Sequence, residues 1–145
     1  MTAASPSKRA RLGELLRATP RQYTIYAVVY FLWGLVMNAL GQWMQIAAFA
    51  YWWQVVTCYV LYLVPVSLTV RRQSRAMQYV FGVLALAPLE LGGYAIGSSI
   101  AYPDNVLDHI FGPRNFTLAM VMFFGIIPPV GNTLVHWIDR ALARA

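Results

Sequence analysis

Four long apolar segments alternate with short polar ones along the chain. They cover residues 23–41, 46–70, 76–100 and 116–138. A helix needs about 20 mostly apolar residues to cross a bilayer, so each segment is long enough to span one. The pattern therefore predicts an all-α integral membrane protein, in which residues 23–138 form a four-helix transmembrane bundle.

The connections between these segments differ in charge, and the difference predicts an orientation. Residues 42–45 are neutral and short enough to require a tight hairpin, residues 71–75 (RRQSR) are basic, and the long connection over residues 101–115 is net acidic. Lys and Arg favour cytoplasmic loops. Four crossings place the basic N-terminal segment, residues 71–75 and the tail of residues 139–145 on one side. We therefore expect a multi-pass protein of the plasma (inner) membrane with both termini cytoplasmic.

The first 22 residues form a separate basic segment. Within it, residues 5–18 (SPSKRARLGELLRA) place Leu12, Leu15 and Leu16 on one side of a helix, with arginines around them. This pattern predicts a short amphipathic helix lying on an anionic leaflet. The alternative is a disordered basic tail that only sets the topology. Both interpretations satisfy the orientation rule.

Composition agrees with the membrane assignment and excludes other classes. Hydrophobic residues make up 59% of the chain and charged residues 11%, against roughly 25% charged in soluble domains. The basic residues flank apolar segments instead of forming the basic face of a nucleic-acid-binding domain. The lipid bilayer is thus the expected partner, and nucleic acid is not. The single cysteine, Cys58, supports no disulfide within the chain and no metal motif, and no metal site is predicted.

One acidic residue, Glu90, lies deep inside an apolar segment, within LALAPLELGGYAIG (84–97). At 1.5 Å per residue it is about 20 Å from the start of its segment and about 15 Å from the end. A carboxylate at this depth costs a few kcal/mol, and no Lys or Arg lies within any of the four segments. We expect Glu90 to be protonated at neutral pH unless a cation or a water-filled cavity accompanies it.

Helix-breaking residues surround Glu90 and recur in the fourth segment. Pro88 removes a backbone hydrogen bond just before the acid. Gly93 and Gly97 form a GxxxG pair on the face of Glu90, which would let another helix approach closely. The stretch GIIPPVGNT (125–133) is a matching irregularity, and transporter sites use such paired discontinuities. The predicted packing and hinge residues are Pro88, Gly93, Gly97, Gly125, Pro128, Pro129 and Gly131.

Other polar side chains fall at depths similar to that of Glu90, and they predict a polar layer in the outer half of the bundle. The alternative is that Asn and Gln side chains only hydrogen-bond a neutral Glu90 and hold helices together. The predicted substrate or proton site consists of Glu90, Asn38, Gln54, Thr57 and Asn132.

Aromatic residues cluster at the outer end of the first hairpin. An aromatic belt at the membrane interface explains them without a ligand. A stacking site for a flat or cationic ligand is the alternative. The cluster comprises Trp43, Tyr51, Trp52 and Trp53.

No nucleotide-binding, zinc-protease or nucleophile motif occurs, so function depends on Glu90. A proton-coupled carrier or exporter is the first hypothesis, with Glu90 exchanging a proton for a lipophilic or cationic small molecule. The length and four-segment plan with a membrane glutamate resemble the small multidrug exporters, a resemblance of plan that carries over no residue. A four-helix carrier would dimerise to enclose its path.

Two alternatives remain open. In the first, the chain is a non-catalytic subunit or regulator that docks on partner membrane proteins. In the second, it is a membrane enzyme or binding protein for an isoprenoid or lipid. As an enzyme, which is the less favoured class, it would use Glu90 as its acid. PLE (88–90) resembles the Pro-x-Glu of membrane lycopene cyclases, although Leu91 replaces the second acid common there. No cofactor is predicted, although a bound lipid or pigment remains an alternative. The expected protein partner is a second copy of the chain (a homo-oligomer) or another membrane protein.

Overall fold

The computed structural model describes residues 17–144, with only the backbone of residues 113 and 114. Within this range all regular structure is helical, apart from an isolated β-bridge between Ala47 and Ala101. The amphipathic helix predicted over residues 5–18 lies outside the described residues except for Arg17 and Ala18, which are not helical.

Within residues 17–144, four helical segments are long and apolar enough to cross a membrane, which confirms the four predicted spans. The first is α1, Pro20–Trp43, and the second is α2, Trp52–Val70. The third is α3, Arg75–Ala95, and the fourth crossing covers Asn115–Leu142. Large hydrophobic side chains stand exposed along all four, as expected of helices that present apolar faces to lipid.

Side-chain caps fix where several helices begin. The Thr19 hydroxyl accepts a hydrogen bond from the backbone N–H of Gln22 at the start of α1. At α3, the Ser74 hydroxyl accepts one from Met77. The side chain of Asn105 caps a short helix, α4, Val106–Phe111, in the connection that follows α3. Such caps satisfy amide groups that the first helical turn leaves without partners.

The second and third spans are shorter than hydropathy predicts. α2 begins at Trp52, because the apolar residues before it form a loop that pairs with the loop after α3. The Ala48 N–H donates to the Ile100 carbonyl over 2.9 Å, and the Tyr102 N–H donates to the Ile46 carbonyl over 2.9 Å. α3 ends at Ala95 and is followed by Gly97, which has a positive φ of 69°. Hydropathy cannot separate an apolar loop from an apolar helix.

The fourth crossing is two helices rather than one. α5, Pro113–Phe124, and α6, Ile127–Leu142, are separated by a turn at Gly125 and Ile126, inside the stretch predicted to be irregular. α2 is irregular as well, since its middle part, Val56–Leu63, is a π-helix. Such segments occur often at functional sites.

The packing of the helices leaves a gap at one end of the molecule. α1 packs on α2 and α6, whereas α3 packs on α5, α6 and the Val64–Val70 part of α2. α1 and α3 thus lie on different sides of α6 and α2. The most buried side chains, such as Tyr30, Leu68 and Ile127, fill the half of the bundle where these helices meet. The other half, below the paired loops, contains a cavity.

Candidate functional site

A cavity of about 630 Å³ lies between the helices at the end where the two loops pair. One wall is the end of α1, including Met37 and Asn38, and another is the π-helical part of α2, including Cys58 and Tyr59. α3 contributes Glu90, and α5 contributes further apolar side chains. Its volume lies in the range of about 300–1,000 Å³ typical of small-molecule sites.

The walls are predominantly apolar and aromatic. Among the described residues that line the cavity, Glu90 is the single one of the types Asp, Glu, Lys, Arg and His. Three methionines also line it, and thioether side chains adapt readily to the shape of a ligand. Within residues 17–144, no group of three or more His, Cys, Asp or Glu side chains could hold a metal ion. The lining methionines are Met37, Met44 and Met120.

The carboxyl group of Glu90 has no polar partner in the described part of the chain. Its side chain is half-buried, and no hydrogen bond or ion pair to it forms within residues 17–144. A polar group removed from water is costly unless it is paired. Glu90 therefore suits one of two states, a protonated acid in the empty cavity or a carboxylate paired with a ligand that brings a positive charge.

The paired loops form the outer wall of the cavity. Ile46, Ala47 and Ile100 all line it, and they belong to the segments joined by the β-bridge. The Asn38 side-chain oxygen accepts a hydrogen bond from the Phe49 N–H over 2.8 Å, which ties the first loop to α1. The predicted site residue Asn38 thus lines the cavity and has a partner of its own.

The structure brings together two of the five predicted site residues. Asn38 and Glu90 line the same cavity, whereas Gln54, Thr57 and Asn132 are not among its described lining residues. The Gln54 side chain accepts from the Tyr51 N–H, and the Thr57 hydroxyl donates to the Trp53 carbonyl within its own helix. The predicted polar layer is therefore not assembled as one cluster.

Asn132 belongs instead to a buried polar network in the other half of the bundle. The Tyr26 hydroxyl donates to its side-chain oxygen over 2.5 Å. Its amide donates to the Ser67 carbonyl at 3.2 Å and to the Gln78 side-chain oxygen at 3.0 Å. The network joins α1, α2, α3 and α6, so its role in the described structure is to hold the four spans together.

The Arg75 side chain closes this network at the end opposite the cavity. Arg75 donates to the Gln78 side chain at 3.4 Å and to the Pro129 carbonyl at 3.1 Å. The Gln78 amide donates to the carbonyls of Arg71 and Gln73. Tyr26, Ser67 and Gln78 were not predicted as members of a site, because polar residues near the ends of spans resemble ordinary interfacial residues.

Glycines make the closest helix contacts, although not all those predicted to do so. Gly97 lies beyond the end of α3 in open space, and Gly93 meets only the Ser98 hydroxyl of the following loop. The GxxxG pair therefore has no helix against it within the described residues. In the described chain the close approaches between spans occur at Gly34, Gly82, Gly125 and Gly131, of which the last two were predicted.

The aromatic residues of the outer hairpin point away from the cavity. Trp43, Tyr51, Trp52 and Trp53 are all exposed, and the rings of Tyr51 and Trp53 stack with centroids 6.0 Å apart. None of the four is among the residues that line the cavity in the described structure. Their placement suits an aromatic belt at the membrane surface.

The predicted proline positions occupy different environments. Pro88 lies inside α3, two residues before Glu90, and is exposed. Pro128 and Pro129 are buried at the start of α6, and the Pro128 ring packs on Gly82 of α3.

Comparison of the chain with protein-family models, with curated proteins and with solved structures gave no match.

Proposed function

We propose that this membrane protein binds a lipophilic small molecule with one cationic group in the cavity, and that Glu90 exchanges a proton for this substrate. The protein would thus act as a proton-coupled carrier. The observation that carries the proposal is the Glu90 carboxyl, which lines an otherwise apolar cavity and has no polar partner among the described residues.

The chemistry of the walls suits a ligand with a large apolar part. Burying apolar ligand surface is worth roughly 25 cal/mol per Å², and the lining side chains offer little else to bind. The aromatic rings of Tyr59, Phe49 and Phe124 line the cavity as well. Aromatic faces attract cations, most strongly where water is excluded. A lipophilic cation therefore matches both the walls and the single acid.

Exchange at one carboxyl would couple binding to a proton. In the empty cavity the neutral acid is favoured, since a lone carboxylate away from water is costly. A bound cation stabilises the carboxylate strongly, because Coulomb attraction grows as the local dielectric constant falls. The site then holds either a proton or the substrate, which is the requirement for antiport.

Substitution of the acid tests the proposal directly. We expect Glu90→Gln to weaken binding of dodecyltrimethylammonium at least tenfold, because the amide cannot carry the compensating charge. Binding to the native protein should release close to one proton, which a pH indicator in weak buffer detects. This quaternary cation has no proton of its own, so the released proton comes from the protein. Binding is measured by equilibrium dialysis on the protein in nanodiscs.

The matched control is Asp139→Asn, the same change of acid to amide at a residue that pairs with Arg21 and lies outside the cavity lining. It should retain both binding and proton release. Unchanged binding by folded Glu90→Gln would overturn the proposal. Equal binding of uncharged dodecanol would favour the isoprenoid or lipid hypothesis. No binding by the native protein would favour a subunit or regulator.

We propose further that the cavity lies in the outer half of the membrane, with both termini cytoplasmic in the plasma membrane. Contacts between the basic segments support this orientation. Arg71 donates to the carbonyl of Arg17 over 2.6 Å, and Arg21 forms an ion pair of 3.4 Å with Asp139. One end of the bundle therefore holds the start of the described chain, at Arg17 and Arg21, together with the basic loop and Asp139. Lys and Arg favour the cytoplasmic side.

Cysteine labelling of intact cells checks the orientation. In a Cys58→Ser background, we expect a membrane-impermeant maleimide to label Gln42→Cys at once and Gln73→Cys only after permeabilisation. Both positions are exposed, so access to the side chain does not limit the reaction. Equal labelling of the two variants from outside would contradict the topology.

A further inference from the structure

The cavity has a mouth, and its rim is apolar. Five large hydrophobic residues line the cavity and are also exposed on the surface. They are Leu40 (43% exposed) and Met44 (51%) at the end of α1, Leu89 (39%) on α3, Phe111 (46%) on α4 and Phe123 (61%) on α5. A side chain that both lines a cavity and reaches the surface marks the place where the cavity opens.

The remaining sides of the cavity are its floor and its loop wall, and they are more closed than the mouth. Toward the middle of the bundle the floor consists of Leu63, Leu86 and Ile127, which are buried. Toward the outer surface, the bridged loops form the wall, and Ala47 within them is buried. The exposed polar residues on the lining are Ser98 and Ser99, which lie in the second loop.

The position of the rim on the helices decides what it faces. Leu40, Leu89 and Phe123 all belong to membrane-spanning helices and not to loops. α1 packs on α2 and α6, whereas α3 and α5 pack on each other, so the mouth lies between these two groups of helices. An opening between spanning helices faces the lipid chains of the bilayer. An apolar rim is stable there, because it has no polar groups that need hydrogen bonds to water.

From these observations we infer that the mouth is a lateral portal, through which a single amphiphile dissolved in the bilayer enters the cavity. Its cationic head pairs with Glu90, and its hydrocarbon part lies along the apolar walls and extends past Leu40 and Phe123 into lipid. The occupant follows from charge complementarity with the lone acid and from an apolar rim that faces the membrane. The cationic nature of the head group rests on the proposed function. The entry route through the portal does not.

The single cysteine provides a native reporter for the route, because Cys58 lies on the cavity wall. In proteoliposomes, we expect the lipid-soluble N-(1-pyrenyl)maleimide to label Cys58 at least tenfold faster than a sulfonated, water-soluble maleimide present on both sides. Cys58→Ser gives the background. Rates are normalised to the reaction of each reagent with the detergent-unfolded protein.

A bulkier rim should slow this reaction. Leu40→Trp is expected to reduce the rate of pyrenylmaleimide labelling at least threefold. The matched control, Leu35→Trp, makes the same change on the same helix at a residue of similar exposure (38%) that is not part of the cavity lining. It should leave the rate unchanged. If both substitutions slow the labelling of Cys58 equally, or if neither slows it, the inference of a lateral portal is wrong.

A second reporter covers the case of an unreactive thiol. Ala119→Cys in the Cys58→Ser background places a thiol on the α5 wall, and Met122→Cys places one on the exposed face of α5. Rapid labelling of Met122→Cys with none at either cavity position would mean a closed cavity and contradict the inference. Faster labelling by the sulfonated reagent would mean an aqueous entrance past the serines. None of these measurements involves Glu90 or a ligand, so the portal and the carrier proposal fail separately.

Discussion

Gly82→Ala is expected to lower the free energy of unfolding by about 2–3 kcal/mol, as overpacking of a well-packed core does. An added Cβ would lie 2.5 Å from the carbonyl oxygen of Gly125 and 3.0 Å from the ring of Pro128. The first of these is backbone at the turn between α5 and α6, which cannot rotate away as a side chain can. The contact between α3 and the broken fourth crossing would have to open.

The control for this effect is the same substitution in the same helix. A Cβ at Gly92 meets no heavy atom within 4 Å, and alanine is favoured over glycine in helices by about 1 kcal/mol. Gly92→Ala should therefore be neutral or slightly stabilising. Reversible unfolding in mixed micelles of increasing SDS fraction measures both variants. Equal stabilities of the two variants would mean that α3 does not approach the turn as closely as described.

Asn132→Ala is expected to lower the free energy of unfolding by about 2–3 kcal/mol, since buried polar groups left without partners cost roughly 1–3 kcal/mol. The substitution removes three hydrogen bonds and leaves the Tyr26 hydroxyl, the Ser67 carbonyl and the Gln78 side chain each short of a partner. It also empties space in the best-packed half of the bundle. Binding at the distant Glu90 cavity should persist in the fraction that stays folded.

Two further substitutions test whether the loss of stability comes from the Asn132 network or from removing any polar side chain. Tyr26→Phe removes one of the hydrogen bonds to Asn132 and should cost about 1 kcal/mol or less, in line with single bonds between membrane helices. Gln54→Ala removes a polar side chain whose bond to Tyr51 is exposed and should have almost no effect. If Asn132→Ala unfolds no more easily than Gln54→Ala, the network does not hold the spans together.

The spans were predictable from the sequence because the requirement for a bilayer helix is one of length and composition. The residues at which the spans begin and end were not predictable. Residues 46–51 are as apolar as a helix, yet they form a loop because their backbone groups bond to the loop after α3. The π-helix at Val56–Leu63 also has no signal in the hydropathy pattern.

The candidate site was predictable only in part. Glu90 stood out because a lone acid among apolar residues is costly wherever the helix lies in the bilayer. Counting residues gives depth along a helix but not the direction in which a side chain points. Asn38 and Asn132 were therefore both predicted to belong to the site of Glu90, although only Asn38 lines the same cavity as Glu90. A single chain already forms a cavity, and the expected dimer stays a prediction.

By itself, the sequence determined that the chain has four helices able to span a membrane and that one acid lies deep within them. Both conclusions concern free energies that each residue contributes on its own, since an apolar residue favours lipid and a carboxylate disfavours it in any packing arrangement. The tertiary structure alone decided which polar residues meet, which glycines touch a neighbouring helix and where a cavity remains. These features depend on how helices distant in sequence rotate and pack against one another, and no single segment carries that information.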